Sequence, residues 1–183
     1  MKKDITLFTS ARPELKFIRL SECKEHLDTA AMWAKNAWGY MHLDDEQFHY
    51  KQLQELCEHV YIAMYDGLPV GMLAVIEKTL SLEENIEESS EKIVEDPSTP
   101  EIIKMKNAYL DYVYIDERAR SMGLAGIIIE KAKSLAREMN AEVISLETLN
   151  STLNGLYKRK GGRVICEGRY NDSYPTEVIR LKF

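Results

Sequence analysis

Basic and small residues cluster where a predicted strand gives way to a predicted helix. The stretch reads Arg120-Ser121-Met122-Gly123-Leu124-Ala125, with Gly126 after it. A helix N-terminus presents unpaired backbone N–H groups and a partial positive charge. Gly123 lacks a Cβ, so an anion can approach that backbone closely. The pattern predicts an anion-binding cradle, with Arg118 and Arg120 adding charge beside it; the alternative is a capped helix with surface arginines.

This cradle differs from two well-known phosphate-binding loops. No Gly-Lys-Ser/Thr follows it, as a Walker loop requires, and no GxGxxG pattern is present. A second group of polar residues follows at a distance that suits the same site. After the next predicted strand comes Asn150, followed by a predicted short helix that carries Asn154 and Tyr157 and that Gly161 ends.

Together the two groups resemble motifs A and B of the GNAT superfamily of N-acetyltransferases. Motif A is written Gln/Arg-x-x-Gly-x-Gly/Ala, which Arg120–Ala125 matches with alanine at its last position. The resemblance extends over roughly residues 60–183 in the order of motifs and elements. It implies that backbone amides of the loop bind the pyrophosphate of acetyl-coenzyme A (acetyl-CoA), with no metal ion. The implied cofactor-binding residues are Val113, Ile115, Arg118, Arg120, Ser121, Met122, Gly123, Leu124, Ala125, Gly126, Asn150, Asn154 and Tyr157.

The resemblance also implies a chemistry in which an acceptor amine attacks the bound thioester directly. Backbone N–H groups between Asp111 and Ile115 are the candidates for polarising the thioester carbonyl. Tyr157 is the candidate general acid for the departing thiolate, or else an aromatic residue of the core. Tyr109 and Asp111 stand where related arylalkylamine acetyltransferases carry catalytic histidines. Asp111 is therefore either a general base or an anchor for the acceptor ammonium.

Acceptor contacts are expected from two segments outside the motifs. One lies between the first two helices and contains Trp38, Tyr40 and His42; the other is the last turn, with Tyr174. Aromatic faces attract alkylammonium groups, and Asp111 adds a carboxylate. The alternatives are core packing for Trp38 and a surface turn for Tyr174.

The elements that must position these residues follow from hydrophobic spacing. The predicted order is a strand at 15–20, helices at 22–39 and 46–58, and a hairpin around Asp66-Gly67. A strand at 107–116, a helix at 123–140, a strand at 142–149, a short helix at 151–160 and two final strands complete the chain. Strict alternation on the strand at 107–116 places Tyr109, Asp111, Val113 and Ile115 on one face. The fold class is mixed α/β: a central, mostly antiparallel sheet with helices on both faces.

Length and composition limit the class of protein further. The chain has 183 residues, 45% of them hydrophobic, which suits one domain over residues 1–183. A net charge of −6 argues against a nucleic-acid partner, and no apolar run reaches membrane-spanning length. Neither the three cysteines nor the four histidines show metal-binding spacing. We expect a cytoplasmic protein, and homodimers are common in the family.

Three functions are compatible with these features. The first is acetyl transfer to a small-molecule amine; the second is acetylation of a protein lysine or N-terminal amine. The third is a CoA-binding module without catalysis. An enclosed aromatic acceptor pocket favours a metabolite, and an open shallow groove favours a protein.

An acidic insertion at about residues 83–100 interrupts the pattern. Seven carboxylates and the single Lys92 lie between Glu83 and Asp96. We interpret it as a solvated loop; the alternative is a surface that attracts cationic acceptors. Replacing residues 83–96 with a short Gly-Ser linker should leave folding and acetyl-CoA binding unchanged, because the stretch has few apolar side chains to bury. Solubility and calorimetric titration check this, and loss of soluble protein would show that the insertion is structural.

Overall fold

A mixed β-sheet forms the centre of the protein. The computed structural model describes residues 14–78, 106–149, 151–170 and 174–182. The acidic insertion lies outside these ranges. The strands are β1 (Leu15–Arg19), β2 (Val60–Tyr65), β3 (Leu68–Glu77), β4 (Asn107–Ile115), β5 (Val143–Thr148), β6 (Gly162–Tyr170) and β7 (Tyr174–Leu181).

Within the described ranges these seven strands lie in the order β1-β2-β3-β4-β5-β7-β6. Only the β4–β5 pair is parallel; the other neighbours are antiparallel. Asp66 and Gly67 form the tight β2–β3 turn, both at positive φ, as the Asp-Gly signal predicts. The predicted mixed, mostly antiparallel sheet is confirmed.

Helices cover both faces of the sheet. They are α1 (Leu27–Trp38), α2 (Phe48–Glu55), α3 (Leu124–Glu138) and α4 (Ser151–Arg159). One hydrophobic core joins β1–β4 to α1 and α2. The other joins α3 and α4 to the opposite face. This arrangement confirms the predicted fold class.

The helix boundaries and faces depart from the sequence prediction in several places. Two 3-10 turns, Leu20–Glu22 and Lys24–His26, precede α1 where a continuous helix was expected. On α3, hydrophobic spacing predicts Ile127 on the core face together with Ile128 and Ala132, but Ile127 is 46% exposed and Ile129 is fully buried instead. Successive side chains of a helix point about 100° apart around its axis, so Ile127 lies outside the buried face that Ile128 and Ala132 define.

A similar difference on α2 matters for the site. The sequence suggests Tyr50 on the buried face, yet Tyr50 is 38% exposed and His49 is only 6% exposed. His49 stands one helical turn before the fully buried Leu53, so the two side chains share a face. The buried stripe of α2 therefore includes an imidazole.

A β-bulge in β4 makes the predicted strict alternation wrong. Met72 of β3 pairs with Tyr114, but Ala74 pairs with Asp111, so two β4 residues oppose Leu73. Tyr112 lies in the bulge, and its φ of 48° is in the left-handed region. As a result Val113 and Ile115 face the α3 core, as Ala108 and Leu110 do.

The other β4 side chains face α1 and α2. Tyr112 and Tyr114 belong to that core. Tyr109 and Asp111 lie opposite Ile76 and Ala74, which pack in the same core. The bulge thus separates Asp111 from Val113 and Ile115, which were predicted to share its face.

Candidate active site

A large cleft opens where β4 and β5 part. Their parallel register covers only Asn107–Tyr109 against Val143–Ser145, and β5 continues along β7. The bulge bends β4 just beyond this point. The resulting cleft has a volume of about 1390 Å³, more than the roughly 300–1,000 Å³ of a single-ligand pocket. A site of this size suits two reactants.

The start of α3 forms one end of the cleft. Gly123 caps the helix with φ 76°, and Leu124 begins it. A Cβ built on Gly123 would meet nothing within 4 Å, so there is open space beside the Cα of this residue at the start of the helix. Ser121, Gly123, Leu124 and Ala125 all line the cleft. This geometry fits the pyrophosphate cradle inferred from the sequence.

Asp116 holds the loop that leads into this cradle. Its backbone N–H donates to the Val70 carbonyl at 2.9 Å. Its carboxylate accepts from the Trp33 indole at 3.2 Å and from the Arg118 backbone N–H at 2.9 Å. The Arg118 guanidinium binds the same carboxylate at 2.8 and 3.1 Å and lowers the pKa of Asp116 to about 2. The carboxylate therefore stays ionised and ties α1 to the loop, while the backbone N–H ties the loop to β3.

The two arginines beside the cradle have different partners. Arg120 lines the cleft, and its guanidinium donates to the Ile115 carbonyl at 3.4 Å and pairs with Glu117. Arg118 is engaged by Asp116 and does not line the cleft; both arginines line a separate cavity beside Trp33. Of the two, the structure brings only Arg120 to the cradle.

Two other motif residues also lie away from the cleft surface. Met122 is exposed and absent from the lining. Gly126 faces the Lys160 side chain, whose Nζ is 3.2 Å from the position of an added Cβ. Val113 and Ile115 do line the cleft.

Tyr157 reaches the cleft from α4. It lines the cavity although only 4% of its surface is exposed. Burial raises the pKa of its hydroxyl to about 12, so the group stays protonated at neutral pH, as a proton donor must. Asn154, three residues before Tyr157 on the same helix, is buried but does not line the cleft. Asn150 lies outside the described residues.

Asp111 and Tyr109 lie on the opposite wall, and both line the cleft. The Asp111 carboxylate accepts from the Tyr112 backbone N–H at 2.7 Å. Burial, with a smaller effect of Glu147, raises its pKa, which makes it a stronger base than an ordinary aspartate. Lys78 stacks over the Tyr109 ring at 4.8 Å and opposes the shift.

The predicted acceptor residues gather at the other end of the cleft. Trp38, Tyr40 and His42 line it. Tyr174 is not part of the lining, but its ring lies 5.3 Å from that of Tyr40, and its hydroxyl donates to the Tyr40 carbonyl at 3.3 Å. This contact joins the start of β7 to the segment after α1.

Several residues that line the cleft were not predicted from the sequence. Lys78 directly follows β3, Glu147 and Thr176 come from β5 and β7, and His49 and Tyr112 come from α2 and the bulge. A polar residue four positions before Leu53 was the available signal for His49; the others depend on strand pairing that no local pattern encodes. Among the described residues no group of three or more His, Cys, Asp or Glu side chains is placed to hold a metal ion, and none of the helices there is long and apolar enough to cross a membrane.

Residues 25–161 match the acetyltransferase (GNAT) family. The match spans most of the chain and includes the cradle, Asp111 and Tyr157. The chain therefore belongs to the acetyltransferase (GNAT) family, and it is an acetyl-CoA-dependent acetyltransferase. No curated protein shows significant similarity to it.

Solved structures share its fold. A chain of the NatC complex, crystallised with Gag peptide and CoA, aligns at TM-score 0.63 and 15% identity, over 94% of this chain and 99% of that one. Ard1 from Thermoplasma volcanium aligns at 0.62 and 17%, over 94% and 98%. A mutant agmatine N-acetyltransferase in its apo form aligns at 0.67 and 11%, over 92% and 99%.

The cradle can be tested with two matched glycine variants. Acetyl-CoA at a hundredfold excess over its Kd should stabilise the wild type by about 2.7 kcal/mol, which raises Tm by roughly 5–10 °C. Gly123→Asp should abolish this rise, because it directs a carboxylate into the space that the pyrophosphate needs. Gly67→Asp is the control, since Gly67 also has φ 76° and open space around it. Both variants carry the same backbone strain, so a full ligand-induced shift in Gly123→Asp would place the cofactor elsewhere.

Proposed function

We propose that the enzyme transfers the acetyl group of acetyl-CoA to the primary amine of a small molecule, by direct attack in a ternary complex. The observation that carries the choice of acceptor is the Tyr174–Tyr40 contact. It joins two chain segments across the acceptor end and narrows the route by which a polypeptide would enter. The aromatic residues Trp38, Tyr40 and His42 at that end suit an alkylammonium group.

The cofactor is proposed to lie between the cradle and Tyr157. Backbone N–H groups from Gly123 to Ala125, together with Ser121 and Arg120, would hold the pyrophosphate. Arg118, Met122, Gly126 and Asn154 are left out of this set, because they do not line the cleft. Acetyl-CoA supplies a thioester carbonyl that the acceptor nitrogen attacks. Backbone N–H groups of the bulged β4 segment are the proposed donors to the developing oxyanion.

Two side chains are proposed to handle protons and charge. Tyr157, whose hydroxyl is protonated at neutral pH, would donate to the departing sulfur. Asp111 would either accept the ammonium proton or anchor the acceptor by its charge. Both line the same cleft, although they reach it from opposite faces of the sheet.

An amine panel tests the choice of acceptor. We expect acetyl-CoA consumption with at least one small amine from a set of alkyl diamines, agmatine and arylalkylamines, and none with lysine-containing or N-terminal peptides. Tyr174→Phe should raise KM for the active amine by about three- to tenfold, the equivalent of one neutral hydrogen bond, with CoA affinity unchanged. Turnover of peptides alone would support the protein acetyltransferase instead. CoA binding without any turnover would support a non-catalytic module.

The Tyr157 hydroxyl is tested separately. Tyr157→Phe keeps the ring in its core site and removes only the proton donor, so the kcat should fall by about a hundredfold to ten-thousandfold. Calorimetric titration should give an unchanged Kd for CoA. A variant with wild-type kcat, under conditions where chemistry limits the rate, would leave Tyr157 as a packing residue.

A further inference from the structure

A histidine–tyrosine pair lies in the wall of the acceptor end and has no part in the function described so far. His49 of α2 and Tyr112 of the β4 bulge both line the cleft. The His49 Nδ1 and the Tyr112 hydroxyl oxygen are 3.2 Å apart, within hydrogen-bond distance. The residues are only 6% and 8% exposed. Nothing in the GNAT motifs requires an imidazole here.

The other ring nitrogen of His49, Nε2, is buried and has no partner of good hydrogen-bond geometry among the described residues. Burying a polar atom without a partner costs free energy, and such atoms in native structures need an explanation. Aromatic rings surround the imidazole: Trp38 at 6.5 Å, Phe48 at 5.2 Å and His42 at 5.4 Å between centroids. An apolar side chain would pack here without this cost, so packing alone does not explain a histidine.

The surroundings of His49 favour its neutral form. Burial lowers its pKa, and repulsion from His42 in the segment after α1 lowers it further. The backbone carbonyl of Trp38, at the end of α1, acts in the opposite direction without reversing the shift. From β4 the ring faces the Tyr112 hydroxyl. In the tautomer that carries its proton on Nε2, the neutral imidazole accepts a hydrogen bond from this hydroxyl through Nδ1 and can receive a proton there.

Tyr112 is held in an uncommon backbone conformation. Its φ of 48° lies in the left-handed region, which bulky residues rarely adopt. Strain of this kind persists where the surrounding structure enforces it, and it clusters at functional sites. Here Trp38 packs edge-on against the ring at 5.6 Å, and the Asp111 carboxylate accepts from the backbone N–H. These contacts hold the Tyr112 hydroxyl beside His49 of α2, while the Tyr112 backbone belongs to the β4 segment proposed to polarise the thioester carbonyl.

We propose that the Tyr112–His49 pair takes up the proton that the acceptor ammonium must lose before it attacks. Tyr112 is the catalytic residue, because it contacts the acceptor, and His49 is a positioning residue that acts through it. This inference rests on the proposed function. It assigns Asp111 the role of acceptor anchor, since that carboxylate already accepts a hydrogen bond from the Tyr112 backbone.

The proposed transfers conserve protons over one turnover. The ammonium gives a proton to the Tyr112 oxygen as the Tyr112 hydroxyl proton passes to His49 Nδ1, which leaves a neutral amine and an imidazolium. The amine nitrogen then bonds to the acetyl carbon and the C–S bond breaks. Tyr157 protonates the sulfur and regains a proton from the nitrogen as the amide forms. His49 releases its proton to solvent, so each turnover liberates one proton in all.

The experiment uses the full chain and the most active amine of the panel. The variants are His49→Asn, Tyr112→Phe and the double variant, with His59→Asn as an exposed-histidine control. Each single change in the pair should lower kcat by about a hundredfold to ten-thousandfold and leave the Kd for CoA unchanged. The double variant should be no slower than the slower single variant, because residues that act as a unit are not additive. An acetyl-CoA-induced Tm rise equal to that of the wild type shows that each variant is folded.

The pH profile separates proton transfer from a structural role. The unprotonated pair is the active form, so wild-type kcat should fall as pH drops through a value below the ordinary histidine pKa of about 6.5. His49→Asn should lose this acidic limb, and His59→Asn should keep it. Additive losses, or an acidic limb retained in His49→Asn, would overturn the assignment. A wild-type enzyme that acetylates no amine overturns the proposed function and the proton transfer together, whereas active, unaffected pair variants overturn the proton transfer alone.

Discussion

The separation of β4 from β5 is the constraint on which the rest of the site depends. Parallel pairing ends after Tyr109, because β4 bulges at Tyr112 while β5 continues along β7. If β4 and β5 stayed paired along their length, their backbone N–H and C=O groups would bond to each other and no cleft would form between the strands. The gap instead exposes a strand edge in the middle of the sheet, and α3 begins beside that edge. The cradle and the two walls of the cleft all follow from this one departure from regular pairing.

The two helical layers give the walls different chemistry. Tyr157 comes from the core under α3 and α4, where burial raises the pKa of its hydroxyl. Asp111 comes from the face that α1 and α2 cover, where burial raises its pKa as well. The same physical effect therefore favours the protonated form of both side chains. Asp116 has the opposite environment, since Arg118 and backbone donors hold it ionised as a structural anchor.

The acceptor end is assembled from parts of the chain that are distant in sequence. Tyr40 follows α1 and Tyr174 begins β7, yet they meet edge to face. His49 of α2 meets Tyr112 of the bulge. The proposed cradle uses backbone N–H groups, whereas the acceptor end is built from side chains.

The sequence by itself determined the fold class and the Asp66-Gly67 hairpin turn, and it predicted a helix that begins just after Gly123, where the cradle is proposed. These features rest on local chemistry: hydrophobic period, turn-forming residues and a glycine at a helix N-terminus. Only the tertiary structure decided that β4 bulges, that Arg118 turns away to Asp116 and that His49 rather than Tyr50 is buried. Each of these depends on contacts between residues far apart along the chain, and a local pattern carries no record of which distant partner will be present. The acceptor end, built wholly from such contacts, is therefore the part that the sequence left open.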